Sequence, residues 1–175
     1  ADKYLFTATV RADGSSSFGT NNQYGYFPSA AVAWKIAEED FIPENISTLK
    51  LRLGWGITGN QDGLGHGNFI TRERFSGIGI DNDGNINPPG TSTVAFANPD
   101  LRWEETDQIN VGLDFGFNND RLSGSLDYYY KDTKDFLLQT TAAQPSPQPF
   151  FFTNIDANII NQGVEFALNY DAIQG

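Results

Sequence analysis

Residues 49–58 read Leu49-Lys50-Leu51-Arg52-Leu53-Gly54-Trp55-Gly56-Ile57-Thr58, and residues 108–117 read Gln108-Ile109-Asn110-Val111-Gly112-Leu113-Asp114-Phe115-Gly116-Phe117. In each stretch every second residue is apolar and the residues between are polar or glycine. That period of two separates completely into two faces, which a helix cannot do. Four further stretches alternate less perfectly. Residues 3–11 put Tyr4, Phe6, Ala8 and Val10 together, and residues 26–36 put Ala30, Val32, Trp34 and Ile36 together. Residues 122–131 alternate Leu122, Gly124, Leu126, Tyr128 and Tyr130 with polar partners, and near the end Val164, Phe166, Leu168 and Tyr170 share a face. Six antiparallel strands of about ten residues each are expected, the length of a membrane-crossing β-strand.

The connections sharpen that reading. Residues 59–107 and 132–163 are long, and the second contains Gln144-Pro145-Ser146-Pro147-Gln148-Pro149, which excludes a helix or a central strand. By contrast, Asn118-Asn119-Asp120 is a tight hairpin of turn formers. Odd strands lead into the longer loops and even strands into shorter turns, the asymmetry of outer-membrane barrels. With the odd strands running outward, Tyr4, Phe6 and Trp34 fall at the periplasmic rim. Trp55, Phe75 and Trp103 fall at or beyond the outer rim, which Tyr128 and Tyr130 approach. Amphipathic rings collect at both membrane interfaces. A soluble β-sandwich also alternates, so the period alone leaves both architectures open.

Composition narrows the function classes. The 175 residues suit one domain or a piece of one. Hydrophobic residues make up 39%, with no run long enough for a spanning helix. The formal charge of −11 opposes nucleic-acid binding and a polybasic lipid surface. With no Cys, disulfides and thiolate metal sites are excluded. The chain has no Met and runs at once into its first strand pattern, so a mature, trimmed or partial chain is expected.

The chain resembles the SusC/RagA family of TonB-dependent outer-membrane transporters of Bacteroidota. The resemblance rests on Thr9-Val10-Arg11-Ala12-Asp13-Gly14-Ser15-Ser16 with Phe18-Gly19, and on Gly54-Trp55-Gly56-Ile57-Thr58-Gly59-Asn60-Gln61. Asn98-Pro99-Asp100-Leu101-Arg102-Trp103-Glu104, Asp127-Tyr128-Tyr129-Tyr130-Lys131-Asp132 and Gly163-Val164-Glu165-Phe166 continue it. These follow in family order along essentially the whole chain. The resemblance implies residues 1–175 of an all-β, up-and-down, 22-stranded transmembrane barrel, without its plug and remaining strands. It implies a multi-pass outer-membrane importer of oligosaccharides or peptides. The implied partners are a SusD-like surface lipoprotein, the TonB complex acting through the plug, and outer-membrane lipid. No cofactor and no enzymatic activity are implied. The alternative is a soluble or surface-attached carbohydrate-binding β-sandwich.

Each candidate site residue also has a plainer role. Gly54-x-Gly56-x-x-Gly59 matches a dinucleotide fingerprint, but loop residues follow where a helix is needed. Asp81, Asp83 and Asn85 have calcium-ligand spacing, yet Ile86 and Ser92 stand where an EF-hand needs Gly and Glu. His66 is the single His, and no nucleophile motif accompanies it. Glu38-Glu39-Asp40 and Glu104-Glu105 are adjacent, not opposed across a cleft as glycoside hydrolysis needs. Phe69, Phe75 and Trp103 are substrate-stacking candidates, with packing within the loops as the alternative. Phe150-Phe151-Phe152 is expected to pack on a neighbouring loop or a lid protein. Lys50, Arg52, Gln108, Asn110, Asp114, Asp127 and Lys131 are expected to line the lumen and meet plug or water.

Overall fold

The computed structural model describes residues 2–64, 98–143 and 150–172, and the backbone of residues 72–76, 79–80, 86–87 and 90–95. Six long strands form one sheet: β1 (Tyr4–Gly14), β2 (Tyr24–Lys35), β3 (Ile46–Asn60), β8 (Glu104–Phe117), β9 (Leu122–Lys134) and β12 (Ile159–Tyr170). Their order is β1-β2-β3-β8-β9-β12, with every neighbour antiparallel. All six expected strands are present, each longer than its periodic core, because ladder pairing continues past the alternating stretch. Among the described residues the only helical element is a single 3-10 turn, Ile36–Glu38.

The long connections carry structure of their own. Between β3 and β8 lie β4 (Arg72–Ser76), β5 (Gly79–Ile80), β6 (Ile86–Asn87) and β7 (Gly90–Ala95), paired β4 with β7 and β5 with β6. Between β9 and β12, β10 (Phe136–Thr141) pairs with β11 (Phe150–Ile155). Length asymmetry is clear for these two connections, which face the four-residue turn closing Phe117 onto Leu122. It is not clear for the first pair, since residues 15–23 and 36–45 are nearly equal in length.

The β8–β9 turn shows why its sequence is what it is. Asn118, Asn119 and Asp120 all have positive φ, at 54°, 56° and 60°, a region Asn and Asp tolerate better than other side chains. Asp120 is held further by Ser47, whose Oγ donates to Asp120 Oδ1 at 2.7 Å and accepts from the Asp120 amide at 2.8 Å.

Register then sorts the side chains. On one face Val32 pairs with Leu53, Leu53 with Val111, Val111 with Tyr128 and Tyr128 with Val164. The row below runs Trp34, Leu51, Leu113, Leu126 and Phe166. Among the described residues nothing covers this face: Phe6 is 72% exposed, Val164 67% and Leu53 45%. From Phe117 to Ile109 the band runs about 27 Å along the strand. A barrel-like tilt shortens that to roughly the 25 Å apolar belt of outer-membrane proteins. A sandwich would bury these side chains under a second sheet, and among the described residues no second sheet lies over them.

Candidate functional site: the polar face and the outer loop cluster

The opposite face of the same sheet is polar and tightly self-paired. Lys50 pairs with Asp114, Arg52 with Gly112 and Gly112 with Asp127, Asn110 with Tyr129, and Gln108 with Lys131. All seven residues expected to line a lumen therefore share one face. Arg52 crosses from β3 over β8 to β9: its Nε and Nη2 donate to Asp114 at 2.9 and 2.8 Å, and Nη2 also donates to Asp127 at 2.8 Å. Lys50 Nζ lies 4.0 Å from Asp114. The crossing needs Gly112 beneath it, since a Cβ there would sit 2.4 Å from Asp127 Oδ1 and 2.8 Å from the guanidinium. Lys131 Nζ instead rests 5.8 Å from the centre of the Tyr129 ring, a cation–π contact. That ring in turn lies over Gly163.

Above this belt the polar face carries one more ion pair, Arg11 with Asp13. A groove of about 720 Å³ runs over Gly54, Gly56 and Gly59, with Thr7, Thr9, Ser29, Gln108 and Asn110 along it. Thr9 and Ser29 hydroxyls share a hydrogen bond at 2.7 Å.

The buried side chains of the described residues gather at one end of the sheet, at the junction of the outer loops. Phe18 and Leu101 are fully buried, with Phe27 and Trp103 nearly so. Ile57, Leu64, Leu137 and Phe152 pack around them. Phe27 comes from the polar face of β2, where it pairs with Arg11, and its ring fills the space over Gly25 and Gly59. Trp103 meets Phe18 at 5.0 Å between centroids and Phe27 edge-on at 5.6 Å. Its ring is thus taken up by loop packing. Its indole Nε1 is buried with no hydrogen-bond partner among the described residues. Sequence periodicity could not show this, because Trp103 precedes its strand and obeys no alternation.

Of the aromatic run, Phe152 joins the cluster while Phe150 is half exposed. Phe75 is carried on β4. Phe69, His66, Asp81, Asp83 and Asn85 lie outside the described residues. Among the described residues no group of three or more His, Asp or Glu is placed to hold a metal.

At the other end of the sheet, one carboxylate gathers three donors. Glu39 accepts from Lys3 Nζ at 3.0 Å, Trp34 Nε1 at 3.1 Å and Tyr4 OH at 2.9 Å. Tyr4 and Trp34 stack with centroids 6.1 Å apart. These contacts, that of Lys3 foremost and then Trp34 and Tyr4, hold the Glu39 carboxyl below the usual glutamate range. The same pair raises Lys3 above its ordinary value of 10.5. The sequence showed Glu38-Glu39-Asp40 only as adjacent carboxylates, since the partners of Glu39 lie up to 36 positions away.

An uncovered apolar belt with aromatic rings at both ends, backed by a charge-paired polar face, defines a wall segment of an outer-membrane β-barrel. Residues 1–174 match the family described as TonB dependent receptor-like, beta-barrel, and the chain belongs to that family. It is 39% identical over 175 residues to the TonB-dependent receptor SusC of Bacteroides thetaiotaomicron, covering 96% of this chain and 17% of that protein. It is 38% identical over 172 residues to the TonB-dependent receptor P3 of Formosa agariphila, again covering 17% of the relative. The chain therefore spans about a sixth of the length of these relatives. Among solved structures, the RagAB peptide importer in its open-open state superposes with a TM-score of 0.83 at 30% identity, over 98% of this chain and 18% of that one. The siderophore receptor PirA of Pseudomonas aeruginosa shares the fold alone, with a TM-score of 0.58 at 14% identity over 96% of this chain and 28% of its own.

Proposed function

We infer that these residues form part of the wall and outer loops of a TonB-dependent importer that takes up oligosaccharides or peptides and performs no catalysis. The observation that carries the reading is the pairing of an uncovered apolar belt with a family match along nearly the whole chain. In this reading residues 1–175 are a partial barrel domain, about six of 22 strands. The apolar face meets lipid. The polar face lines the lumen, where Lys50, Arg52, Asp114 and Asp127 face the plug or water. A SusD-like surface lipoprotein caps the outer end and captures ligand, with half-exposed Phe150 among the residues it meets. TonB draws on the plug to open the path. Support for the peptide arm comes from the likeness to the RagAB peptide importer at 30% identity.

The test is to isolate the parent polypeptide from an outer-membrane extract and ask what accompanies it. A heat-modifiable band well above roughly 70 kDa, the mass of a 22-strand wall at this chain's residues per strand, together with a co-purifying lipoprotein, is expected. A soluble species near 19.3 kDa would overturn the reading. Growth of a deletion strain on glycan or on peptide as sole source then separates the two substrate classes.

A further inference from the structure

We propose that the segment 98–103, Asn98-Pro99-Asp100-Leu101-Arg102-Trp103, is a keystone that joins the β1–β2 loop and the β10–β11 hairpin into one cooperative body seated on the wall. The segment has no regular secondary structure of its own, yet it holds two of the four core side chains, Leu101 and Trp103. A surface loop would ordinarily expose such residues.

Both of its flanks are held by side-chain amides. On one side the β1–β2 loop closes on it: Asn22 Nδ2 donates to the Leu101 carbonyl at 3.1 Å. Gly19 lies so near that a Cβ there would come within 2.6 Å of the Pro99 carbonyl oxygen. On the other side the hairpin docks through amides. Asn98 Nδ2 donates to the Phe152 carbonyl at 2.9 Å. Asn154 accepts from the Arg102 amide at 3.0 Å and donates to the Arg102 carbonyl at 2.8 Å. Underneath, Trp103 packs edge-on against Phe27, which belongs to β2.

Loops joined only to their own strands open independently, each with a low local free energy. Loops sharing one buried cluster and one hydrogen-bonded intermediary open together. A partner or ligand that engages the hairpin is then felt at the β1–β2 loop, with no contact there. This inference rests on the contacts alone, so it stands or falls apart from the transport reading.

Hydrogen–deuterium exchange on the full-length receptor in detergent tests it from both flanks. Gly19→Ala strikes the keystone from the β1–β2 side, at Pro99. It should speed exchange in residues 150–155, across the keystone, by roughly tenfold or more, while residues 49–56 of the wall stay unchanged. Asn154→Ala releases the keystone from the hairpin side, at Arg102, and should speed exchange in residues 15–22 to a similar degree. Acceleration confined to the mutated flank and residues 98–103, or no acceleration at the far flank, would overturn the proposal. Should Gly19→Ala fail to assemble, Asn154→Ala, whose bonds to Arg102 are exposed, still decides it.

Discussion

At the residue scale, Trp103 and Glu39 show how far a side chain's role depends on partners distant in sequence. Trp103 is buried, and among the described residues its indole nitrogen has no hydrogen-bond partner; a buried donor without a partner costs about 1–3 kcal/mol. Trp103→Phe removes that donor while keeping most of the ring, so stability in a urea titration should stay within about 1 kcal/mol of the parent. Trp103→Ala removes the packing too and should cost about 3–5 kcal/mol.

Glu39 makes a prediction in pH. Its folded carboxyl sits below its unfolded value, so its contribution is present above about 4.5 and is lost as pH falls through the lower folded value. Lys3 runs the other way: its contribution is full below 10.5 and is lost only as pH rises through its raised folded value. The window that matters is therefore acidic. Glu39→Gln should flatten the loss of stability below about pH 4.5, followed by the heat-modifiable band shift across a pH series. An unchanged acid profile would show that the three contacts carry no linkage.

At the scale of elements, the sheet's two faces answer to different solvents. The row Leu51, Leu113 and Leu126 lies midway up the apolar belt. Leu113→Arg places a charge there and should cost about 2–4 kcal/mol and hinder insertion. Leu113→Phe should be close to neutral, because lipid tails adapt where a packed core does not. In a protein core the same enlargement would cost about 1–3 kcal/mol, so refolding into lipid vesicles with the two variants measures which solvent the face meets. The polar face obeys stricter geometry. Arg52 reaches two strands only because Gly112 leaves room, and that glycine reads in sequence as an ordinary alternating position.

At the scale of the whole molecule, the six strands leave β1 and β12 at the edges of the sheet. In hydrocarbon each unpaired backbone group costs several kcal/mol, so the arc is complete only within a closed barrel. Residues 1–175 expressed alone should fail to insert into vesicles or to give a heat-modifiable band, whereas the full-length receptor should give both. Insertion of the isolated arc as a monomer would mean that its edges are satisfied by some other closure.

The amino-acid sequence by itself determined the strands, their two faces and the family, because a period of two is written residue by residue and lipid asks only for apolar side chains on one side. It also determined the β8–β9 turn, where Asn118, Asn119 and Asp120 announce positive φ by their chemistry. Only the tertiary structure decided what the loops do. The burial of Phe18 with Leu101, the capture of Trp103 by Phe18 and Phe27, and the reach of Lys3 and Tyr4 to Glu39 all join residues far apart in the chain. No local period encodes such pairings: they follow from which strand ends the register of the sheet brings together.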